Sequence, residues 1–194
     1  RGITYIQVPT TLLSMMDSSI GGKTAVDLDH GKNQAGCFHQ PAMVLCDPAL
    51  LSTLPEREYR CGCAEIIKTA MLFDAGFFRE LRQTPVRGQL EHVLSVCVAA
   101  KRDVVQSDEF DRGQRALLNF GHTVGHAVEA CRDFTISHGE GVAIGMAVVT
   151  RAAVNRGICP PETLTALLDL LEQYKLPTEA TESLADILQA AEAD

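Results

Sequence analysis

The chain has 194 residues, 46% of them hydrophobic and none tryptophan, enough for one good core or one core and a piece of another. Its 25 acidic and 17 basic side chains leave a net charge of −8, which argues against a general nucleic-acid binder but not against a locally basic pocket for a small anion. Seven cysteines without paired spacing read as reduced thiols, and with neither a signal-peptide pattern nor a bilayer-length apolar run the expectation is a soluble cytoplasmic globular protein without a membrane partner.

Thr4-Tyr5-Ile6-Gln7-Val8 is a short β-branched stretch that predicts a buried strand. Thr11, ahead of the apolar run Leu12-Leu13-Ser14-Met15-Met16, predicts a helix start. Gly21-Gly22 predicts a turn into a second strand, Gly31-Lys32-Asn33 a second turn, and Met43-Val44-Leu45-Cys46 a short strand closed by Asp47-Pro48. This part reads as the tail of an α/β domain. From Pro55 the pattern turns helical: Leu90, Val93, Leu94 and Cys97 recur at helical spacing, as do Leu164, Leu167, Leu168 and Leu171. Residues 141–156 are apolar or small on nearly every side, as in a helix buried at the centre of a bundle. The expected division is therefore an α/β segment over 1–54 and a helical domain over 55–194, both cut from something longer.

Asn119-Phe120-Gly121-His122-Thr123-Val124-Gly125-His126 is the strongest local signal. Two histidines four apart share a helix face, which suits two ligands, or one ligand and one catalytic base. Zinc peptidases carry Glu directly after the first His, and Thr123 stands there instead. His138, in Ser-His-Gly-Glu-Gly, completes a cluster of three of the six histidines within 17 residues. Glu65 and Lys68 lie one helical turn apart. They are either a surface ion pair or a carboxylate ligand beside a substrate-binding lysine; a Glu/His/His set with an open position would suit catalytic zinc. Lys101 continues the apolar stripe of its helix, so it either snorkels to solvent or points into an enclosed anion site. Arg115 is four residues before Asn119 and seven before His122, on or near one helical face, and Lys23 and Lys32 adjoin glycine turns whose N–H groups can meet phosphate. Cys61-Gly62-Cys63 reads as small packing residues at a helix start, since no second cysteine pair completes a metal site.

Taken in order, these motifs resemble the 3-dehydroquinate synthases. The match runs through Val8-Pro9-Thr10-Thr11-Leu12-Leu13, Asp17 to Ala25, Gly31-Lys32-Asn33, Phe38-His39-Gln40-Pro41, Thr53-Leu54-Pro55, Ala64-Glu65-Ile66-Ile67-Lys68, Asn119 to His126 and His138-Gly139-Glu140. The resemblance implies the tail of a Rossmann-like NAD-binding domain followed by a mainly α-helical metal- and substrate-binding domain. It implies zinc (or Co2+) held by Glu65, His122 and His138, with His126 a non-ligand acid/base. Asp17, Asn33, Lys68, Lys101, Arg115 and Asn119 would bind a small anionic sugar-acid phosphate; Thr10, Thr11, Lys23 (which also falls among the substrate positions), Lys32 and Leu50-Leu51-Ser52-Thr53 would contact NAD. Arg1 falls where an arginine reaches the neighbouring subunit of a homodimer. The implied activity is a shikimate-pathway lyase that closes a ring with loss of phosphate. Related sugar-phosphate cyclases such as 2-deoxy-scyllo-inosose synthase are the nearest rivals. A zinc hydrolase would need Glu129 or Glu140 to activate water.

Overall fold

Two short parallel strands, β1 (Ile6–Gln7) and β4 (Met43–Val44), lie side by side in the computed structural model, with Ile6 opposite Met43 and Gln7 opposite Val44. The structure describes residues 2–28 and 31–192, with the side chains of 27 and 31–34 outside that description. Between the two strands comes an antiparallel hairpin, β2 (Lys23–Leu28) and β3 (Gly31–Phe38). Gly21 and Gly22 launch it with φ of 101° and 65°, a turn that side-chain-bearing residues adopt at a cost. The turn expected at 31–33 is not there: Gly31 pairs with Leu28, so these positions belong to β3.

Thr11 does start a helical segment. Its Oγ1 accepts from Ser14 N at 3.1 Å while Ser14 Oγ accepts from Thr11 N at 3.1 Å, a reciprocal cap before a π-helical turn at Ser14–Ser18. That turn drives Leu12, Met15 and Met16 into the core. A 3-10 turn over Pro48–Thr53, capped by Asp47, leads to the helical part.

Seven α-helices follow among the described residues: α1 (Glu56–Phe73), α2 (Ala75–Gln83), α3 (Leu90–Ser107), α4 (His122–Cys131), α5 (His138–Asn155), α6 (Pro161–Gln173) and α7 (Leu184–Ala191). Residues 61 to 70 of α1 are buried without interruption, so this helix runs through the middle of the fold. The apolar stripes place Val93, Leu94 and Cys97 of α3 and Leu167, Leu170 and Leu171 of α6 in the same core, and α5 buries Val142, Ala143, Met146 and Ala147 there. Cys61 and Cys63 are free, buried packing residues, and Cys61 Sγ accepts from Gly139 N at 3.1 Å. No helix of the described residues is long and apolar enough to cross a membrane.

Glycines set how close the site-bearing helices come. A Cβ on Gly145 of α5 would lie 1.9 Å from the Gly121 carbonyl oxygen ahead of α4. One on Gly139 would lie 2.3 Å from the Cys61 carbonyl of α1. Three backbones thus meet at the start of α5, where the sequence also places its histidines.

Candidate metal centre and anion pocket

Glu65 is fully buried in α1, and its carboxylate is the centre of the cluster. Lys68 Nζ lies 2.5 Å from Oε2, while His138 Nε2 and His122 Nε2 lie 3.3 and 3.5 Å from Oε1. The pair expected as a possible surface contact is therefore interior, with Lys68 only 2% exposed. Despite these short separations, neither Glu65 oxygen makes a well-directed hydrogen bond to a protein group. Lys68 offsets charge at Oε2, while Oε1, faced by the two imidazole nitrogens, is where a further cation would complete the buried carboxylate.

The two histidines are turned to accommodate such a cation. His122 Nδ1 sits 3.3 Å from the Phe120 carbonyl, and His138 Nδ1 sits 3.0 Å from Glu129 Oε1. An acceptor at Nδ1 selects the Nδ1–H tautomer of the neutral ring, whose Nε2 lone pair then faces Glu65. One donor atom each from Glu65, His122 and His138 lies within 4.8 Å of the others. A carboxylate and two imidazoles suit Zn2+ or Co2+ with positions left open. His126 stands beside this set, its ring centroid 5.3 Å from that of His122 and 5.7 Å from that of His138.

Protonation follows the same geometry. Burial opposes ionisation of Glu65, but the Lys68 charge and the His138 contact outweigh it and hold the carboxyl well below its usual range. Burial and the Lys68 charge push His122 down to about 4. Burial also works against charging His138, yet Glu129 and Glu65 prevail and raise it to about 9. The metal-free protein at neutral pH thus carries a proton on His138 but not on His122. A metal needs the neutral ring, so uptake is expected to release about one proton per ion at pH 7.5, falling to none as pH rises past about 9. Calorimetry of zinc binding in buffers of different ionisation enthalpy measures that number directly.

Next to His122 opens a pocket of about 130 Å³ lined by Asp17, Lys23, Lys68, Lys101, Arg115, Leu118 and Asn119 as well. Lys101 reaches it from α3 and donates to Asp17 Oδ1 at 2.5 Å and to the Asp17 carbonyl at 2.6 Å, so its charge is engaged within the fold rather than left in solvent. Arg115, 2% exposed, donates to the carbonyls of Gly21 and Glu109 at 2.9 and 2.7 Å. Lys68 also donates to Leu118 O at 2.6 Å, and Lys23 pairs with Asp111.

Arg115 and Asn119 do not share one continuous helix with His122. They occupy a 3-10 turn, Gln114–Asn119, and Gly121, with φ of 80°, breaks the chain before α4. All three side chains nonetheless line the same pocket.

Of the positions expected to meet NAD, Thr10 and Thr11 follow β1, and 50–53 follow β4, so both groups lie beyond the C-terminal ends of adjacent parallel strands. That is where α/β sheets characteristically receive ligands. Leu51 is 5% exposed and packs in the core, leaving only its backbone for a ligand. The side chains of Lys32 and Asn33, and all of Arg1, lie outside the described residues. Glu140, one of two candidates to activate water, instead closes the capping box of α5 with Ser137 and pairs with Arg57 at 2.8 Å. The other, Glu129, is 1% exposed and sits behind His138. Its partnership with His138 escaped the sequence reading, although its spacing of three from His126 and seven from His122 places all three on one face of α4.

Comparison with known proteins covers the whole chain. Residues 1–61 match the family model for the 3-dehydroquinate synthase N-terminal region and 62–194 that for its C-terminal region. A 3-dehydroquinate synthase of Clostridium botulinum is 44% identical over 200 residues, covering 100% of this chain and 57% of the relative. One from Nostoc sp. is 47% identical over 188 residues, covering 92% of this chain and 52% of the relative. The chain thus spans little more than half the length of these relatives. Among solved structures, 2-epi-5-epi-valiolone synthase of Streptomyces hygroscopicus subsp. jinggangensis, with NAD+ and Zn2+ bound, superposes with a TM-score of 0.90 at 33% identity over 98% of this chain and 55% of that one. A 2-deoxy-scyllo-inosose synthase complexed with carbaglucose-6-phosphate, NAD+ and Co2+ gives 0.91 at 29% identity over 100% of this chain and 55% of that one.

Proposed function

Because the chain belongs to the 3-dehydroquinate synthase family, we propose that it supplies the metal and substrate site of an enzyme that closes 3-deoxy-D-arabino-heptulosonate 7-phosphate to 3-dehydroquinate with loss of phosphate. The observation that carries this reading is a buried carboxylate faced by two imidazole Nε2 atoms, opening beside a pocket that holds Lys68, Lys101 and Arg115. In this reading residues 1–54 are the tail of a Rossmann-like NAD-binding domain, 55–194 form the helical domain, and the full-length enzyme is a cytoplasmic homodimer. The proposed partner is a small phosphorylated sugar acid rather than a nucleic acid, in keeping with a net charge of −8.

Glu65, His122 and His138 would hold the metal, while Thr10, Thr11, Lys23, Lys32 and the 50–53 segment would hold the nicotinamide dinucleotide. When bound, the metal supplies Lewis acidity at substrate hydroxyls and NAD a reversible hydride acceptor. The chain's own residues bind, orient and move protons. Lys68, Lys101 and Arg115 neutralise the substrate's carboxylate, phosphate and developing oxyanions. Asp17, Asn33 and Asn119 orient its hydroxyls. His126, next to the metal ligands, takes and returns a proton at a ring nitrogen as the carbon next to the transient ketone loses its hydrogen. The pocket holds the opened chain folded on itself for the closing carbon–carbon bond.

The test is phosphate release from the heptulosonate phosphate by the full-length enzyme with catalytic NAD+. Phosphate and dehydroquinate are expected in equal amounts, with turnover abolished by a chelator and by His122→Ala. An enzyme that binds zinc and NAD yet leaves this substrate untouched, while cyclising a hexose phosphate, would instead belong with the sister cyclases.

A further inference from the structure

Glu129 is an acidic side chain sealed between α4 and α5, 1% exposed. Gly141 leaves the space it occupies: a Cβ there would stand 3.0 Å from Glu129 Oε1 and 3.1 Å from its Cγ. Oε1 lies 3.0 Å from His138 Nδ1, on the side of the ring opposite the nitrogen that faces Glu65. His138 and Gly141 are three apart on α5, so one face of that helix supplies both the imidazole and the gap that receives the carboxylate.

We propose that Glu129 is a positioning residue for the metal centre, fixing the His138 ring and its Nδ1–H tautomer so that Nε2 is presented to the ion beside Glu65 and His122. This inference rests on the metal reading of those three residues. A carboxylate behind a ligating imidazole both orients the ring and raises its basicity, and losing such a partner weakens metal binding by about 10–100-fold. His138 needs it more than His122 does. The His138 side chain is 31% exposed against 14% for His122, so fewer packing contacts hold its ring in place. One atom each of Glu129, His138 and His126 lies within 4.8 Å of the others, so a shift of this carboxylate reaches the acid/base histidine as well.

The experiment titrates zinc into metal-free full-length enzyme against a chromophoric chelator, for the natural sequence, Glu129→Gln and Glu129→Met, alongside Co2+ absorption spectra and metal-free melting curves. The natural protein is expected to bind one ion. Glu129→Met should weaken binding by about 10–100-fold and change the Co2+ spectrum, with the metal-free melting curve establishing that the variant is folded. Glu129→Gln keeps an acceptor for Nδ1–H and should lose less affinity. Should the Met variant fail to fold, the Gln variant still decides through affinity and spectrum. Unchanged zinc affinity and Co2+ spectrum in the folded variants would overturn the positioning role while leaving the metal centre standing. A natural protein that binds no zinc would overturn the metal reading itself. Two ions per chain, with one lost on substitution, would make Glu129 a ligand and also overturn the proposal.

Discussion

Glu65→Gln is expected to yield protein without bound zinc and with a melting temperature roughly 6–20 °C below that of the natural sequence. The metal loses its only anionic ligand among the three that converge. The stability loss has a separate origin. Lys68, 2% exposed, would keep its buried charge with no opposite charge beside it, held by neutral acceptors such as the Leu118 carbonyl, a situation that costs about 3–5 kcal/mol. The two effects separate in the double variant Glu65→Gln/Lys68→Met, which should recover most of the melting temperature and none of the zinc. Metal analysis of purified protein with a thermal scan reads both. Recovery of zinc in the double variant would show that the carboxylate is not a ligand. The pair also has a pH signature. The folded Glu65 carboxyl ionises below its ordinary 4.5, so its contribution to stability is complete above that value and is lost as pH falls below it.

Gly145→Ala is expected to be nearly as damaging, although it adds one methyl group and removes no charge. The new Cβ would stand 1.9 Å from the Gly121 carbonyl oxygen and 2.8 Å from its carbon, both backbone atoms that no rotamer change can move. Relief requires α4 and α5 to separate. Overpacking of side chains alone costs about 1–3 kcal/mol, and a backbone clash sits at or beyond the top of that range. Separation also pulls His122 away from His138, whose ring centroids are 5.1 Å apart, so zinc affinity should fall with stability. Gly88→Ala is the control. Its Cβ would meet only Thr84 Cγ2 at 3.6 Å, so stability should stay within about 0.5 kcal/mol and zinc binding should not change. A Gly145→Ala protein with normal melting and normal zinc would mean that the two helices have slack at their crossing.

What the sequence disclosed, and what it hid, follows from how far each signal reaches. The stripes of α3 and α6 were legible because helical periodicity is local and burial follows from it, whereas the apolar run over 141–156 is buried continuously only to Ala147, with Val149 39% exposed. The crowding of His122, His126 and His138 was legible too. The depth of Glu65 and Lys68 was not, since an i, i+3 acid–base pair reads the same on a surface as in a core; only the packing of α1 against its neighbours decides. Arg115 to His122 reads as one helical face, and the positive φ of Gly121 breaks it. The close crossing was hidden for a related reason. A glycine inside a helix registers locally as a weakness, and its purpose shows only when another backbone lies against it. Glu129 needed both helices to be placed before its partner was visible.

Lys23, Lys68 and Lys101 rest against Asp111, Glu65 and Asp17 respectively, whereas Arg115 is held by backbone carbonyls. Seen from beyond a Debye length, the cations of this pocket amount to little more than one positive charge on an acidic protein. A passing anion is steered toward it only weakly. Once inside, an anion that draws Lys23 or Lys101 from its carboxylate meets a second and a third full charge within a few ångströms. In the proposed function the attraction would therefore be short-ranged and conditional on fit, since an anion too small to reach across the pocket would leave the pairs closed.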